Sequence, residues 1–181
     1  MKLNSRELRT TPVDDTIKKS LKKNPIYIIL DNVLDTYNVG AIFRLADAIA
    51  AEKVFLCGLT ETPPNPKIKK ASVNTWQWVN WEYAESAAQA IQNLKSKVQN
   101  IKTYSIEQAK GSVPLAKFKP EFPAAIVVGN ETNGITQDVL DMSDAVVELP
   151  MYGINNSLNV MVTLGIVLYH LSDYLVFSSK S

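Results

Sequence analysis

The sequence predicts a single α/β domain on a mainly parallel β-sheet with helices on both faces. Three observations carry that prediction. Continuous apolar, β-branched runs such as Pro25-Ile26-Tyr27-Ile28-Ile29-Leu30 and Val54-Phe55-Leu56-Cys57 have the composition of buried strands. Between these two runs lies a segment with apolar residues at helical spacing, and strand, helix and strand in that order make a parallel βαβ unit. Finally, 181 residues, 46% hydrophobic and 20% charged, fit one globular domain able to bury a core without disulfides.

In chain order, residues 1–24 form a basic extension, with Lys2, Arg6, Arg9, Lys18, Lys19, Lys22 and Lys23 against Glu7, Asp14 and Asp15. It either touches RNA phosphates or is a solvated arm with a short helix. Residues 25–181 form the domain. A strand over Pro25–Leu30 leads to a helix over Asn38–Ala51, in which Phe43, Ala46, Ile49 and Ala50 recur at helical spacing. A strand over Lys53–Cys57 follows. Gly58–Lys70 reads as a polar loop, ending in Lys67, Lys69 and Lys70, that faces RNA or merely connects. In Ala71–Trp81, Trp76 and Trp78 share a face if the segment is a strand. Burial or a subunit contact suits the three tryptophans better than base stacking.

An amphipathic helix over Ala84–Val98 precedes a strand over Ile101–Ile106 and a loop over Glu107–Phe122. Ala124–Val128 is a strand, Ile135–Met142 a short helix and Ala145–Leu149 another strand. Ser157–Leu175 closes the chain as an apolar helix, with Ser157 as its N-cap, Pro150 ending the strand before it and Gly153 supplying an unusual backbone angle.

Composition bounds the function. A formal net charge of +1 gives no global basic field, although a local patch is compatible with it. Cys57, the only cysteine, excludes an internal disulfide and suggests a reducing compartment. The polar N-terminal residues carry no signal peptide, and Val160–Leu171 is too short to span a membrane; the expected location is the cytoplasm. His170 and Cys57 have no second His or Cys with which to form a ligand set, so no metal is expected.

Three stretches carry the chemistry: Asn38-Val39-Gly40-Ala41-Ile42-Phe43-Arg44, then Gly129-Asn130-Glu131-Thr132-Asn133-Gly134-Ile135, and Leu149-Pro150-Met151-Tyr152-Gly153-Ile154-Asn155-Asn156-Ser157-Leu158-Asn159-Val160. In order and type they resemble the motifs of the SpoU family of RNA 2'-O-ribose methyltransferases, over about Ile26 to Phe177. The first two are short patterns; the long third is the specific one. Its departures are Leu149, where isoleucine is usual, and Thr163, where alanine is common.

The resemblance implies S-adenosylmethionine as methyl donor, a deep C-terminal trefoil knot and a homodimer completing its site across the interface. Periodicity shows none of these. The target is a ribose hydroxyl of structured RNA, tRNA or rRNA, with the compact chain and Gly134-Ile135-Thr136-Gln137 leaning towards tRNA. Catalytic roles fall on Asn38, Arg44, Glu131, Ser157 and Asn159. Gly129, Leu149 and Leu158 line the cofactor through main-chain contacts, joined by Thr103 and Tyr104.

Each residue also has a plainer reading. Arg44 suits a phosphate, its guanidinium with a pKa above about 12 being a poor base, or else it pairs with Asp47 on the helix surface. Asn38 caps a helix or positions Arg44 or the ribose, and Gly40 allows close packing or ligand approach. Glu131 fixes Asn38, Arg44 or Ser157, or sits in an ordinary turn. Asn159 donates and accepts at once, which suits a ribose hydroxyl.

Two rivals remain. One is a non-catalytic RNA-binding or assembly protein on the same fold, disfavoured by the intact set Arg44, Glu131, Ser157 and Asn159. The other is a nucleotide-dependent oxidoreductase, disfavoured by the absence of a G-x-G-x-x-G fingerprint.

Overall fold

The computed structural model describes Glu7 and residues 14–178. Helix α1 (Asp15–Ser20) is capped by the Asp14 carboxylate, which accepts the Thr16 N–H; apart from Glu7, the basic arm before Asp14 lies outside the described residues. The seven strands are β1 (Asn24–Asp31), β2 (Ala51–Cys57), β3 (Trp81–Ala84), β4 (Lys102–Ile106), β5 (Val113–Pro114), β6 (Ala124–Gly129) and β7 (Ala145–Glu148). They form one sheet in the order β3-β2-β1-β6-β4-β7-β5, and every strand pair is parallel.

Period-two alternation builds a core on each face. Ile28, Leu30, Val54, Leu56, Ile126 and Val128 pack on one side against helix α2 (Thr36–Ala48), through Val39, Ile42, Phe43 and Ala46, and against Leu164, Val167, Leu168 and Leu171 of helix α6 (Val160–Ser178). Their neighbours Ile29, Phe55, Cys57, Ala125 and Val127 face the other way. They meet Ala87, Ala90, Ile91 and Leu94 of helix α4 (Ala87–Lys97) and Val139 of helix α5 (Gln137–Met142). Cys57 is fully buried, and burial, with the Asp31 charge adding, pushes its thiol up to about 12, as suits an inert core residue.

Several local expectations are corrected. The supposed loop 58–70 runs into helix α3 (Pro66–Ser72): Asn65 caps it by accepting the Lys67 and Ile68 N–H groups, Pro66 begins it, and Ile68 is fully buried. Trp76 and Trp78 do not lie on a strand. Val73 and Asn74 take left-handed angles (φ 53° and 66°), Thr75–Gln77 forms a 3₁₀ turn, and Trp78 Nε1 donates to Asp47 at 2.7 Å. Ala84 ends β3, and α4 starts only after the Ser86 cap. The loop 107–122 contains edge strand β5.

Gly40 lies inside α2, against α3. A Cβ there would sit 2.6 Å from the Ala71 methyl and 2.9 Å from the Ile68 carbonyl oxygen, so helix-on-helix packing is what its missing side chain allows.

Candidate active site

The carboxyl ends of β6, β4 and β7 open into a cleft of about 620 Å³, the place where open parallel sheets bind ligands. Gly129 ends β6, and the turn after it is closed by paired Asn130 and Gly134 backbones: Asn130 N–H to Gly134 O at 3.0 Å and the reverse at 2.9 Å. A Cβ on Gly129 would run into the Gly134 carbonyl, so only glycine lets the turn fold back this tightly. Asn130 holds the turn from inside, its Oδ1 accepting the Thr132 and Asn133 N–H groups and its Nδ2 donating to Asn32 O.

That turn aims Glu131 at the start of α2. Its Oε1 accepts the Asp35 N–H at 3.1 Å and Asn38 Nδ2 at 3.0 Å, and its Oε2 accepts the Leu34 N–H at 3.1 Å. Burial alone would raise this carboxyl, but these donors outweigh it and hold it below the usual glutamate range. Asn38 Oδ1 in turn accepts Asn159 Nδ2 at 3.0 Å. Asn159 Oδ1 accepts the Met161 and Val162 N–H groups at the start of α6. One amide chain, Glu131–Asn38–Asn159, thus joins all three motifs.

The capping roles differ from those expected. Asp35, accepting the Tyr37 N–H, caps α2, while Asn38 lies inside the helix with 6% exposure. Asn159, not Ser157, caps α6, which begins at Val160. Ser157 is exposed, its N–H and hydroxyl both donating to Asn155 Oδ1. Gly153 is not among the glycines with positive φ.

Gly129, Leu149, Leu158, Ser157, Asn159 and Glu131 all line the cleft. Thr103 and Tyr104 do not. Thr103 is buried, with its N–H on Asp144 Oδ2, and the buried Tyr104 accepts the Glu121 N–H at its hydroxyl. The cleft is reached two residues after Tyr104, at Ile106, Glu107 and Gln108, because β4 runs on to Ile106. Glu107 Oε2 accepts the Ile135 N–H and Gln108 Nε2 donates to Asn156 O at 2.7 Å, so these residues tie the second and third motifs to the sheet. The sequence reading missed both; polar residues directly after a buried parallel strand were the available signal.

A second omission is Asp31, 2% exposed at the end of β1. Its Oδ2 accepts the Thr136 N–H and hydroxyl at 2.9 and 2.8 Å, anchoring the far side of the Gly129–Ile135 turn.

Arg44 stands apart from the amide chain. It is exposed on α2 and has neither an ion pair nor a hydrogen bond among the described residues. Asp47, its supposed partner, is engaged by Trp78. No cluster of metal-ligating side chains occurs among the described residues, nor any helix long and apolar enough to cross a membrane.

A parallel α/β sheet whose strand ends bear this three-motif junction defines a class, and comparison with known proteins identifies it. Residues 25–169 match the model of the SpoU rRNA Methylase family, and the chain belongs to that family. It is 28% identical over 155 residues to the tRNA (guanosine(18)-2'-O)-methyltransferase of Aquifex aeolicus, covering 82% of this chain and 69% of that one. It is 31% identical over 160 residues to the 23S rRNA (guanosine-2'-O-)-methyltransferase RlmB of Neisseria meningitidis serogroup B, covering 85% and 60%. The chain therefore spans 60 to 69% of the length of these two relatives. The AdoMet-bound rRNA methyltransferase of Sinorhizobium meliloti superposes with a TM-score of 0.77 at 25% identity, over 85% of this chain and 58% of that one.

Proposed function

We propose that the chain transfers a methyl group from S-adenosylmethionine to a ribose 2'-oxygen of structured RNA, tRNA or rRNA. The observation that carries this reading is the Glu131–Asn38–Asn159 chain, which converges from three distant motifs on the rim of a ligand-sized cleft.

The cleft suits the methyl donor by the chemistry of its walls. Ile106, Leu149, Met151 and Leu158 offer apolar surface for an adenine, and the main chain around Gly129 and Leu149 offers polar contacts at its edge. Residues 106–108 take the place assigned from sequence to Thr103 and Tyr104. The donor supplies an already activated methyl group, which leaves the protein to align a hydroxyl and give its proton a path.

Arg44, with its donors uncommitted among the described residues, binds the phosphate beside the target ribose and orients the hydroxyl. Asn159 and Ser157 offer polar groups to that ribose at the cleft. Glu131 spends its oxygens on three N–H donors and sits below the usual carboxylate range, so it orients Asn38 and α2 rather than taking the proton.

The active assembly is a homodimer. Leu158, Val162, Ile166 and Tyr169 are 41 to 55% exposed and recur at helical spacing on or just before α6. Tyr174, by contrast, is half-buried and donates to Phe118 O within its own chain. The proposal includes the C-terminal trefoil knot, a methyltransferase domain over 25–181 after a basic arm, and a cytoplasmic location consistent with the single buried cysteine.

The test offers labelled S-adenosylmethionine with unmodified tRNA and unmodified rRNA separately. Label in nuclease-resistant dinucleotides of one RNA is the expected result. Absence of both transfer and cofactor binding would favour the non-catalytic alternative, whereas cofactor binding without transfer to either RNA would point to a missing substrate or partner.

A further inference from the structure

We infer that helix α3 is a preformed phosphate-binding platform which, with Arg44, holds the RNA backbone flanking the methylated nucleotide. The inference rests on the RNA substrate proposed above.

α3 carries Lys67, Lys69 and Lys70, all exposed. None has an ion pair or hydrogen bond from its ammonium group among the described residues. Three other lysines are paired, Lys53 with Glu82 at 3.0 Å and Lys95 and Lys102 at 4.0 and 3.5 Å from the two oxygens of Asp144. Lys22, Lys23, Lys97, Lys110, Lys117 and Lys119 are, like the α3 lysines, without an ion pair among the described residues. Among the described residues, α3 alone of the helices groups three such cations on two turns. Of the acids nearby in sequence, Asp47 is held by Trp78, and Glu61 pairs with none of the three. Three uncompensated cations on a single short helix are what an anionic polymer would neutralise.

The platform is also fixed in place. Ile68 and Ser72 are fully buried, Asn65 caps the helix, and Gly40 lets α2 approach until its backbone meets Ala71. On α2, Arg44 follows Gly40 by one turn, and helical side chains lean towards the N-terminus, so Arg44 projects back towards the α3 contact. On α3, Lys67 precedes Ala71 by one turn on the same side. The two helices thus place four cations on one rigid unit, and the first turn of that unit carries Asn38 of the Glu131–Asn38–Asn159 chain. In this inference, RNA whose ribose enters the cleft continues its backbone over this surface, beside the first turn of α2.

The test compares Lys67→Gln/Lys69→Gln/Lys70→Gln with Lys53→Gln/Lys95→Gln/Lys102→Gln, which removes the same charge from ion-paired positions. Affinity for unmodified tRNA and rRNA transcripts is measured across a salt series, with melting temperature checking the fold. The α3 triple should weaken binding about 10-fold or more near 0.1 M salt and flatten the salt slope by about 2. The control triple should change the slope by less than about 1. Equal effects of the two triples, wild-type slope in the α3 triple, or no RNA binding by the wild type would each overturn the inference. Cofactor binding and methyl transfer by the wild type, measured apart, show whether the methyltransferase reading has failed instead.

Discussion

Two loops border the cleft, and they are held in opposite ways. The Gly129–Ile135 turn is tied from every side: by its own backbone bridge, by Asn130 to Asn32, by Glu131 to α2, by Glu107 to Ile135, and just beyond it by Asp31 to Thr136. The stretch from Tyr152 to Asn159 is exposed throughout, with Tyr152 at 94% and Ile154 at 107%. Its side-chain ties to the rest of the fold are Gln108 to Asn156 and Asn159 to Asn38. The first loop has its geometry fixed by the chain itself, as electrostatic preorganisation requires. The second leaves apolar and polar groups uncovered, in keeping with the ligand and second subunit proposed above.

That contrast can be broken by substitution. The largest effect on folding belongs to Gly129→Ala, whose methyl collides with the Gly134 backbone; a loss of about 3 kcal/mol in denaturant unfolding is expected. Glu131→Gln comes next. It keeps the shape but removes the charge from three hydrogen bonds, and after allowance for its exposure about 1–2 kcal/mol should be lost at neutral pH. The sign of its pH dependence follows from the lowered native pKa. The contribution is present above the unfolded value near 4.5 and disappears as pH falls through the native one, so wild type and Glu131→Gln should converge in acid melts.

Asn159→Ala removes the cap of α6 and one partner of Asn38. It should cost about 1 kcal/mol in the same unfolding experiment. The smallest effect is assigned to Gly153→Ala, where nothing lies within 4 Å of the added methyl. Its melting temperature should match the wild type, and a loss comparable to that of Gly129→Ala would erase the distinction between the loops.

The parallel sheet was legible because strands buried on both faces leave unbroken apolar runs, as in Ile26–Leu30 and Val54–Cys57. The motif residues were legible because their chemistry is local. What failed was choosing between equivalent local signals. Asp35 and Asn38 can each cap a helix, and so can Ser157 and Asn159. The choice at the third motif is made by the Asn38 amide, 121 residues away in sequence. Helix α3 looks like loop in sequence because only Ile68 and Ser72 are buried in it, too few for a helical period. Thr103 and Tyr104 lie in the middle of a strand whose end at Ile106 the sequence does show. The cleft opens only at that carboxyl end, so a side chain on the strand and a side chain at its mouth look alike from local pattern.

The most direct test of the account is Arg44→Ala, followed through methyl transfer, S-adenosylmethionine binding and melting temperature together. Arg44 is exposed and touches no charged partner among the described residues, so folding and cofactor binding should be preserved while transfer falls about 100-fold or more. Transfer retained near the wild-type rate, or lost only in parallel with the fold, would contradict it.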